Sequence, residues 1–155
     1  MPVGRKTVVR RFRLSDYDAV LTLWRRTEGV GLNESDTRSA VASYLRRNAG
    51  LSCVAAQGGE IVGAVLCGHD GRRGYLHHLA VARRHRRRGI GRRLVAACLA
   101  KLGRLGITRC NLFIFADNAA GKKFWAHRGW KLRRELRLMQ IPVAGARRGD
   151  RSCSC

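Results

Sequence analysis

Apolar positions change their spacing several times along the chain, and each change predicts a new element. Residues 7–14 mix β-branched and apolar side chains with arginine, which is typical of a strand. Residues 15–18 then read Ser-Asp-Tyr-Asp, which predicts a capping box at the start of a helix. In that helix Val20, Leu21, Leu23, Trp24 and Thr27 recur at helical spacing. A second short helix is predicted over about residues 35–47.

The spacing then becomes that of strands. Three are predicted, over residues 51–56, 61–67 and 75–81. The glycine-containing turn at 57–60 makes the first two an antiparallel hairpin. The turn at 70–74 leads into the third.

A long amphipathic helix follows, opening at the glycines Gly89 and Gly91 and closed by Gly106. Its apolar face comprises Leu94, Val95, Cys98, Leu99, Leu102 and Leu105. Residues 110–114 predict a buried strand.

The last third of the chain predicts one more helix and a hairpin. Asn118 caps a helix that carries Phe124 and Trp125. Residues 130–141 predict a final hairpin. The resulting order, β-α-α-β-β-β-α-β-α-β-β, is an α/β layout in which helices cover one mixed sheet.

Length and composition predict one globular domain. With 155 residues, 45% of them hydrophobic, the chain suffices for a single core. The expected domain spans residues 7–141, and residues 142–155 form a basic tail that we expect to be disordered. No apolar run reaches membrane-spanning length and no signal-peptide pattern is present, so we expect a cytoplasmic protein without a membrane partner.

Six cysteines indicate free thiols rather than a disulfide framework. Cys53, Cys67, Cys98 and Cys110 lie in apolar runs, which predicts buried thiols in a reducing compartment. Cys153 and Cys155 form one pair without further spaced ligands, so no metal site is predicted.

The chain is strongly basic. Its 32 lysines and arginines against 10 acids give a formal charge of +22, which indicates an anionic partner. Nearly all of these cations are arginine, whose planar fork suits phosphate. A high-GC genome would also favour arginine, and composition alone does not separate the two explanations.

Residues 79–94, LAVARRHRRRGIGRRL, concentrate this charge at a predicted helix start. The first turn of a helix has unpaired N–H groups and the positive end of the helix dipole. Glycines allow a ligand to approach that backbone closely. This combination predicts a diphosphate site.

Two separated motifs in this element order resemble the GNAT superfamily of acyl-CoA-dependent N-acyltransferases. The first is the Arg-x-x-Gly-x-Gly turn at 86–91, and the second is the run of Asn118, Phe124, Trp125, Gly129 and Trp130. The resemblance covers about residues 8–141. Residues 21–24, 68–74 and 79–81 are similar to a small bacterial branch of uncharacterised single-domain acetyltransferases.

The resemblance implies a GNAT fold, with a mostly antiparallel mixed sheet of about seven strands and four flanking helices. The fourth and fifth strands splay apart, and the backbone of Leu79, Ala80 and Val81 binds pantetheine in the gap. Asn118 contacts the coenzyme near the pantetheine arm or serves as a plain helix cap. The residues implied to hold the pyrophosphate are Arg86, Arg87, Arg88, Gly89, Ile90, Gly91 and Arg92.

The implied activity is direct transfer of acetyl from acetyl-CoA to a primary amine within a ternary complex. The acceptor is a small molecule, a peptide N-terminus or a lysine. A glutamate that serves as base in one branch of the superfamily is replaced here by Phe113. A tyrosine that serves as acid in many members is replaced by Trp125, which either donates a hydrogen bond to the thiolate or packs on its helix.

For the base, the sequence predicts His77. Arylalkylamine N-acetyltransferases carry a histidine at a matching position, and imidazole titrates near neutral pH. Strand alternation places His77 on the face of Tyr75, a third catalytic candidate, and places His78 on the opposite face. A histidine packed between helix and sheet is the alternative interpretation of His77.

Two further points stay open. The superfamily's acceptor pocket would lie between residues 28–36 and about residues 133–137. In the first range, Glu28, Glu34 and Asp36 either attract a cationic amine or cap the second helix. The alternative function is a basic module that binds nucleic acid or the ribosome, with an RNA or an acidic protein as partner. A monomer and a homodimer are both compatible with the sequence.

Overall fold

The computed structural model describes residues 4–146, and it contains one five-stranded sheet. The strands are β1 (Thr7–Arg11), β2 (Cys53–Gln57), β3 (Glu60–His69), β4 (Gly74–Val81) and β5 (Cys110–Leu112). They lie in the order β1-β2-β3-β4-β5. All neighbours are antiparallel except β4 and β5, which are parallel. The α/β class and the mixed sheet are therefore confirmed.

The prediction of about seven strands is wrong, because residues 130–141 form no strand among the described residues. The turn of the predicted hairpin is present, since the Leu136 N–H donates to the Arg133 carbonyl (3.3 Å). Its arms do not pair. Leu132, Leu136 and Leu138 are each more than half exposed, so no buried face offsets the entropy of ordering two extended arms.

Four α-helices accompany the sheet, as predicted. They are α1 (Tyr17–Arg25), α2 (Arg38–Arg47), α3 (Ile90–Arg104) and α4 (Ala119–His127). Single 3₁₀ turns at Leu14–Asp16, Glu34–Asp36 and Arg83–His85 precede α1, α2 and the loop before α3.

The capping box predicted at Ser15 is wrong. Asp16 accepts from the Arg13 N–H (2.9 Å), and Ser15 caps nothing. Two bonds of 2.8 Å from the Arg10 guanidinium hold the Asp16 carboxylate in place. The charge pair therefore fixes Asp16, the last residue of the 3₁₀ turn, at the point where α1 begins.

Helices α1 and α2 cover one face of the sheet and α3 covers the other. Alternation along β3 shows this at two glycines. A Cβ on Gly63 would meet Leu94 and Ile90 of α3, whereas one on Gly68 would clash with the Tyr44 hydroxyl of α2. The sheet is thus buried on both faces.

The predicted buried thiols lie between the sheet and α3. Cys53, Cys67 and Cys98 are free and buried, and Cys110 is free and half-buried. Cys153 and Cys155 lie outside the described residues, as does the predicted disordered tail from residue 147 onward.

The chain divides into two compact units, Met1–Phe113 and Ile114–Cys155. The first contains the sheet with α1, α2 and α3. In the second, the Asn118 side chain accepts from the Gly121 N–H (2.9 Å) and begins α4. The predicted domain boundary at 7–141 stays a prediction.

Candidate functional site

The loop before α3 presents a row of unpaired backbone donors. Arg87 and Gly89 have positive φ angles of 61° and 74°, which turn the backbone sharply before Ile90. Among the described residues, the N–H groups of residues 87–92 donate to no acceptor, and α3 has no side-chain cap. Six consecutive donors are therefore free at the positive end of a 15-residue helix.

Arginines around this loop fall into two groups. Glu28 binds Arg83 and also Arg86, at 3.5 Å. These contacts, after a bond from its own backbone N–H, hold the pKa of Glu28 below its usual value. Within residues 4–146, Arg87, Arg88 and Arg92 are exposed and have no acidic partner. The loop thus keeps three guanidinium groups free beside its free N–H groups.

The edge of β4 next to this loop is open. Pairing with β5 covers only Gly74, Tyr75 and Leu76. From His77 to Val81, no strand lies beside β4 on that side among the described residues. The fourth and fifth strands therefore pair only at residues 74–76, and Leu79, Ala80 and Val81 have no neighbouring strand on this side within residues 4–146.

His77 and Tyr75 lie together, as alternation predicts. Their rings are stacked with centroids 6.2 Å apart, and both stack on Phe113. Tyr44 of α2 meets the His77 ring edge-on at 6.2 Å. His77 has no acidic partner in the described part of the chain, and burial lowers its pKa below the ordinary histidine value.

The prediction that His78 faces the opposite side of the sheet is wrong. A β-bulge interrupts the ladder, because Val65 of β3 stands opposite both His78 and Leu79. His78 takes a left-handed φ of 54°. This residue breaks the alternation, so the His78 ring lies on the α1 face, edge-on to Trp24 with centroids 5.1 Å apart.

His78 is paired with a buried carboxylate. Its Nε2 atom lies 2.8 Å from Oδ1 of Asp36, which is 6% exposed. The other carboxylate oxygen accepts from the Asn33 N–H (3.0 Å). Burial opposes the charge of Asp36, but the bonds from His78 and Asn33 outweigh burial and lower its pKa.

The three acids near the predicted acceptor region therefore have different surroundings. Glu28 contacts the arginines of the loop, Glu34 begins a 3₁₀ turn, and Asp36 ends that turn and binds His78. The prediction that these acids cap the second helix is wrong, because the Thr37 side chain caps α2 by accepting from the Ala40 N–H (3.3 Å). The His78–Asp36 pair was missed. Only the bulge brings the two side chains together, and no residue spacing signals that bulge.

In the second unit, Trp125 packs in an aromatic group. Its ring lies edge-on to Phe124 at 5.1 Å and to Trp130 at 4.9 Å. Asn118 makes the helix-cap bond described above. The packing alternative for Trp125 and the capping alternative for Asn118 are both observed contacts.

Within the described residues, no three histidines, cysteines or acids are grouped so as to hold a metal ion. No helix in that part of the chain has the length and apolarity needed to cross a bilayer.

The chain is similar to known acetyltransferases. The sequence profile of the acetyltransferase (GNAT) family matches residues 17–130. Acetyltransferase ECA0875 of Pectobacterium atrosepticum is 36% identical over 112 residues, which cover 72% of this chain and 79% of the relative. Acetyltransferase SG1711 of Sodalis glossinidius is 34% identical over 72% of this chain and 78% of its own length.

Solved structures share the fold at lower identity. The PaiA N-acetyltransferase of Thermoplasma acidophilum, solved in complex with coenzyme A, has a TM-score of 0.74 and 16% identity, covering 83% of this chain and 91% of its own. The aminoglycoside N-acetyltransferase AAC(6')-Iy, also solved with coenzyme A, has a TM-score of 0.72 and 15% identity, covering 93% and 99%.

Proposed function

Because the chain belongs to the acetyltransferase (GNAT) family, we propose that it transfers acetyl from acetyl-CoA to a primary amine by direct attack within a ternary complex. The acceptor is a small amine, a peptide N-terminus or a lysine.

The observation that carries this proposal is the row of free donors before α3. A pyrophosphate there would accept from N–H groups of residues 87–92 and would face the guanidinium groups of Arg87, Arg88 and Arg92. Arg86, Gly89, Ile90 and Gly91 complete the proposed pyrophosphate site. The left-handed φ of Gly89 directs the chain into the helix without a side chain in the way.

The open edge of β4 supports a place for the pantetheine arm. Leu79, Ala80 and Val81 lie five residues or more before the proposed pyrophosphate site, on the strand that leads into it. Backbone N–H and C=O groups on such an edge pair with the amide groups of the arm in the same way as they pair with a neighbouring strand. Asn118 stays a prediction for the same arm.

Amine acetylation needs a neutral amine and a route for the departing thiolate. The family's glutamate position is Phe113, which accepts no proton. The sequence offers His77 as one candidate for the base, Tyr75 as a hydrogen-bonding partner and Trp125 as a donor to the thiolate, and these three roles stay predictions. Solvent can protonate the thiolate after release.

The test is calorimetric binding of acetyl-CoA, followed by a panel of amines, peptides and lysine-containing proteins with free-thiol release as the readout. We expect acetyl-CoA to bind far more tightly than acetyl-pantetheine, which lacks the phosphates. Equal affinity for the two would contradict the proposed pyrophosphate site. Absence of acetyl-CoA binding would refute the function.

A further inference from the structure

We propose that His78, held by Asp36, accepts the proton of the acceptor amine, an inference that rests on the proposed function. His78 would be a catalytic residue and Asp36 a positioning residue.

The bulge gives His78 its place. Regular alternation would send this side chain toward α3, but the extra residue in β4 and the left-handed φ of 54° turn it to the α1 face. A left-handed φ costs a non-glycine residue about 1 kcal/mol or more, and such strain concentrates at functional sites. The Trp24 indole N–H donates to the His78 carbonyl (3.0 Å) and secures this orientation.

The carboxylate fixes the tautomer of His78. Because Asp36 is a hydrogen-bond acceptor, the His78 Nε2 atom 2.8 Å away carries the proton. The Nδ1 atom of the same ring then has a free lone pair. It makes no hydrogen bond among residues 4–146 and is not enclosed, and the side chain is 19% exposed. An imidazole oriented by a buried carboxylate, with its second nitrogen free, is the arrangement of a general base.

His78 also lies beside the proposed reaction centre. It directly precedes Leu79, where the open edge of β4 would hold the arm that carries the thioester. Asp36 comes from the 3₁₀ turn before α2, in the region where the resemblance places the acceptor. The pair therefore joins the proposed acceptor region to the proposed coenzyme edge.

Each proton and electron pair of the transfer has a defined destination. Nδ1 of His78 takes one proton from the ammonium form of the acceptor, and the resulting imidazolium stays bonded to Asp36. The amine lone pair forms the new C–N bond at the thioester carbonyl, and the C–S bond breaks with its electrons on sulfur. Of the two protons left on nitrogen, one passes through solvent to that thiolate and the other stays on the amide, and His78 releases its proton to water.

The charged and titratable groups around His78 favour it over His77 as the proton acceptor. Asp36 faces His78 from the turn before α2, the Tyr17 hydroxyl of α1 donates to the Asp36 carbonyl (2.6 Å), and His77 is its neighbour on β4. When the His78 ring is protonated, its positive charge is hydrogen-bonded to the Asp36 carboxylate. A cation on His77 would lie between aromatic rings without a carboxylate partner.

The first test compares His78→Gln with His77→Gln, using the acceptor found by the thiol-release screen. Gln at 78 keeps an N–H that can reach Asp36. We expect His78→Gln to lower kcat/KM at neutral pH by about 10²-fold and to remove the acid limb of its pH profile. His77→Gln should keep that limb. The reverse pattern would overturn the proposal.

A second test uses hydroxylamine as the acceptor, because its neutral form predominates at neutral pH. Transfer to hydroxylamine needs no base for the first proton, so His78→Gln should affect it far less than transfer to an alkylamine. Equal losses with both acceptors, in a variant with unchanged thermal midpoint and acetyl-CoA affinity, would contradict a role in proton transfer.

Asp36→Asn tests the positioning role, and it serves as the second variant if His78→Gln does not fold. Asn still accepts from the Asn33 N–H but carries no charge to stabilise an imidazolium. We expect the acid limb to move to lower pH with an unchanged KM for acetyl-CoA. A merely structural role would lower kcat without moving the limb, and that result would overturn the inference.

These outcomes distinguish a failure of the proposed acetyltransferase function from a failure of the role of His78. A wild-type protein that neither binds acetyl-CoA nor releases thiol with any acceptor refutes the proposed function and the inference together. An active wild type whose His78 and Asp36 variants keep the limb refutes the inference alone.

Discussion

The charge pair of Arg10 and Asp16 fixes the point where the chain enters α1. Two bonds of 2.8 Å join the guanidinium to the carboxylate, which is buried to 8% exposure. The Arg10 bond, followed by the Arg13 N–H, holds the pKa of Asp16 below its usual value against the effect of burial.

At the residue scale, we expect Asp16→Asn to lower the free energy of unfolding by about 2 kcal/mol at neutral pH. Because folding lowers the Asp16 pKa, its contribution is complete above the ordinary aspartate value of about 3.9 and is lost as pH falls through the lowered one. The difference between wild type and variant should therefore shrink in acid. Urea unfolding of both proteins at several pH values measures this difference in unfolding free energy.

Asp18→Asn is the matched control for that experiment. Asp18 also lies at the start of α1, but its side chain is 89% exposed and Arg38 is 3.7 Å away. Such surface pairs contribute little. A loss for Asp18→Asn as large as that for Asp16→Asn would show that helix-start charge, rather than the Arg10 pair, is responsible.

At the element scale, the start of α3 predicts how coenzyme binding responds to charge. Gly89→Glu and Gly89→Gln add nearly the same volume and the same strain at a φ of 74°. Only Glu adds a negative charge next to the free N–H groups. We expect Glu to weaken acetyl-CoA binding at least about tenfold more than Gln, measured by calorimetry, because the charge repels the pyrophosphate.

Equal affinities of the Glu and Gln variants would contradict the placement of the pyrophosphate. Acetyl-pantetheine serves as the control ligand, since it has no phosphate for the new charge to repel. Its affinity should be the same for both variants.

The contact between α2 and β3 gives a second prediction at this scale. A Cβ on Gly68 would clash with the Tyr44 hydroxyl and would lie 2.7 Å from the Asn48 side chain, which is buried and accepts from the His69 N–H. We expect Gly68→Ala to cost about 1–3 kcal/mol of unfolding free energy. Gly103→Ala, in α3 with nothing within 4 Å, should stabilise by about 0.5–1 kcal/mol.

Chemical denaturation of the two alanine variants measures both effects. A destabilised Gly103→Ala would indicate that alanine is unfavourable in this fold for reasons other than space. An unaffected Gly68→Ala would show that α2 can move away from the sheet.

Periodicity was sufficient for most elements, because their burial follows the period of one helix or one strand. The face of α1 and the strands β2, β3 and β4 are of this kind and are confirmed. The face of α3 is confirmed in part, because Leu99 and Leu105, which were predicted on it, are 38% and 55% exposed. The loop before α3 was also accessible from sequence, since glycines and arginines at a helix start have a local physical meaning.

Features that depend on contacts between distant parts of the chain could not be predicted from the sequence. The arms of residues 130–141 have strand-like alternation, but alternation does not supply a neighbouring strand. The bulge at His78 depends on the register between β3 and β4, and no local signal marks it. The pair of His78 with Asp36, 42 residues apart, follows from that bulge and was missed with it.

At the scale of the whole molecule, the charge of +22 opposes the compact state. We expect the thermal midpoint to rise by a few degrees when sodium chloride increases from about 10 mM to about 150 mM, as the screening length falls from ~30 Å to ~8 Å. Calorimetric scans measure this. A falling midpoint would show that the Arg10, Arg83 and Arg84 ion pairs outweigh the repulsion.

Phosphate at matched ionic strength separates screening from binding. An extra rise in phosphate, absent from Gly89→Glu, would indicate an anion at the start of α3. The alternative nucleic-acid function requires more: an RNA oligonucleotide must bind with a steep salt dependence, whose slope falls by about one for each phosphate-contacting arginine removed. Absence of RNA binding at low salt would exclude that function.

The contact of Trp24 with His78 has an optical consequence. The indole lies edge-on to the imidazole at 5.1 Å, and a protonated imidazole at such a distance quenches indole fluorescence. With Trp125 and Trp130 replaced by phenylalanine, the emission of Trp24 would become a built-in signal for the arrival of a proton on His78. Stopped-flow fluorescence would then time that proton within a single turnover, without any added dye.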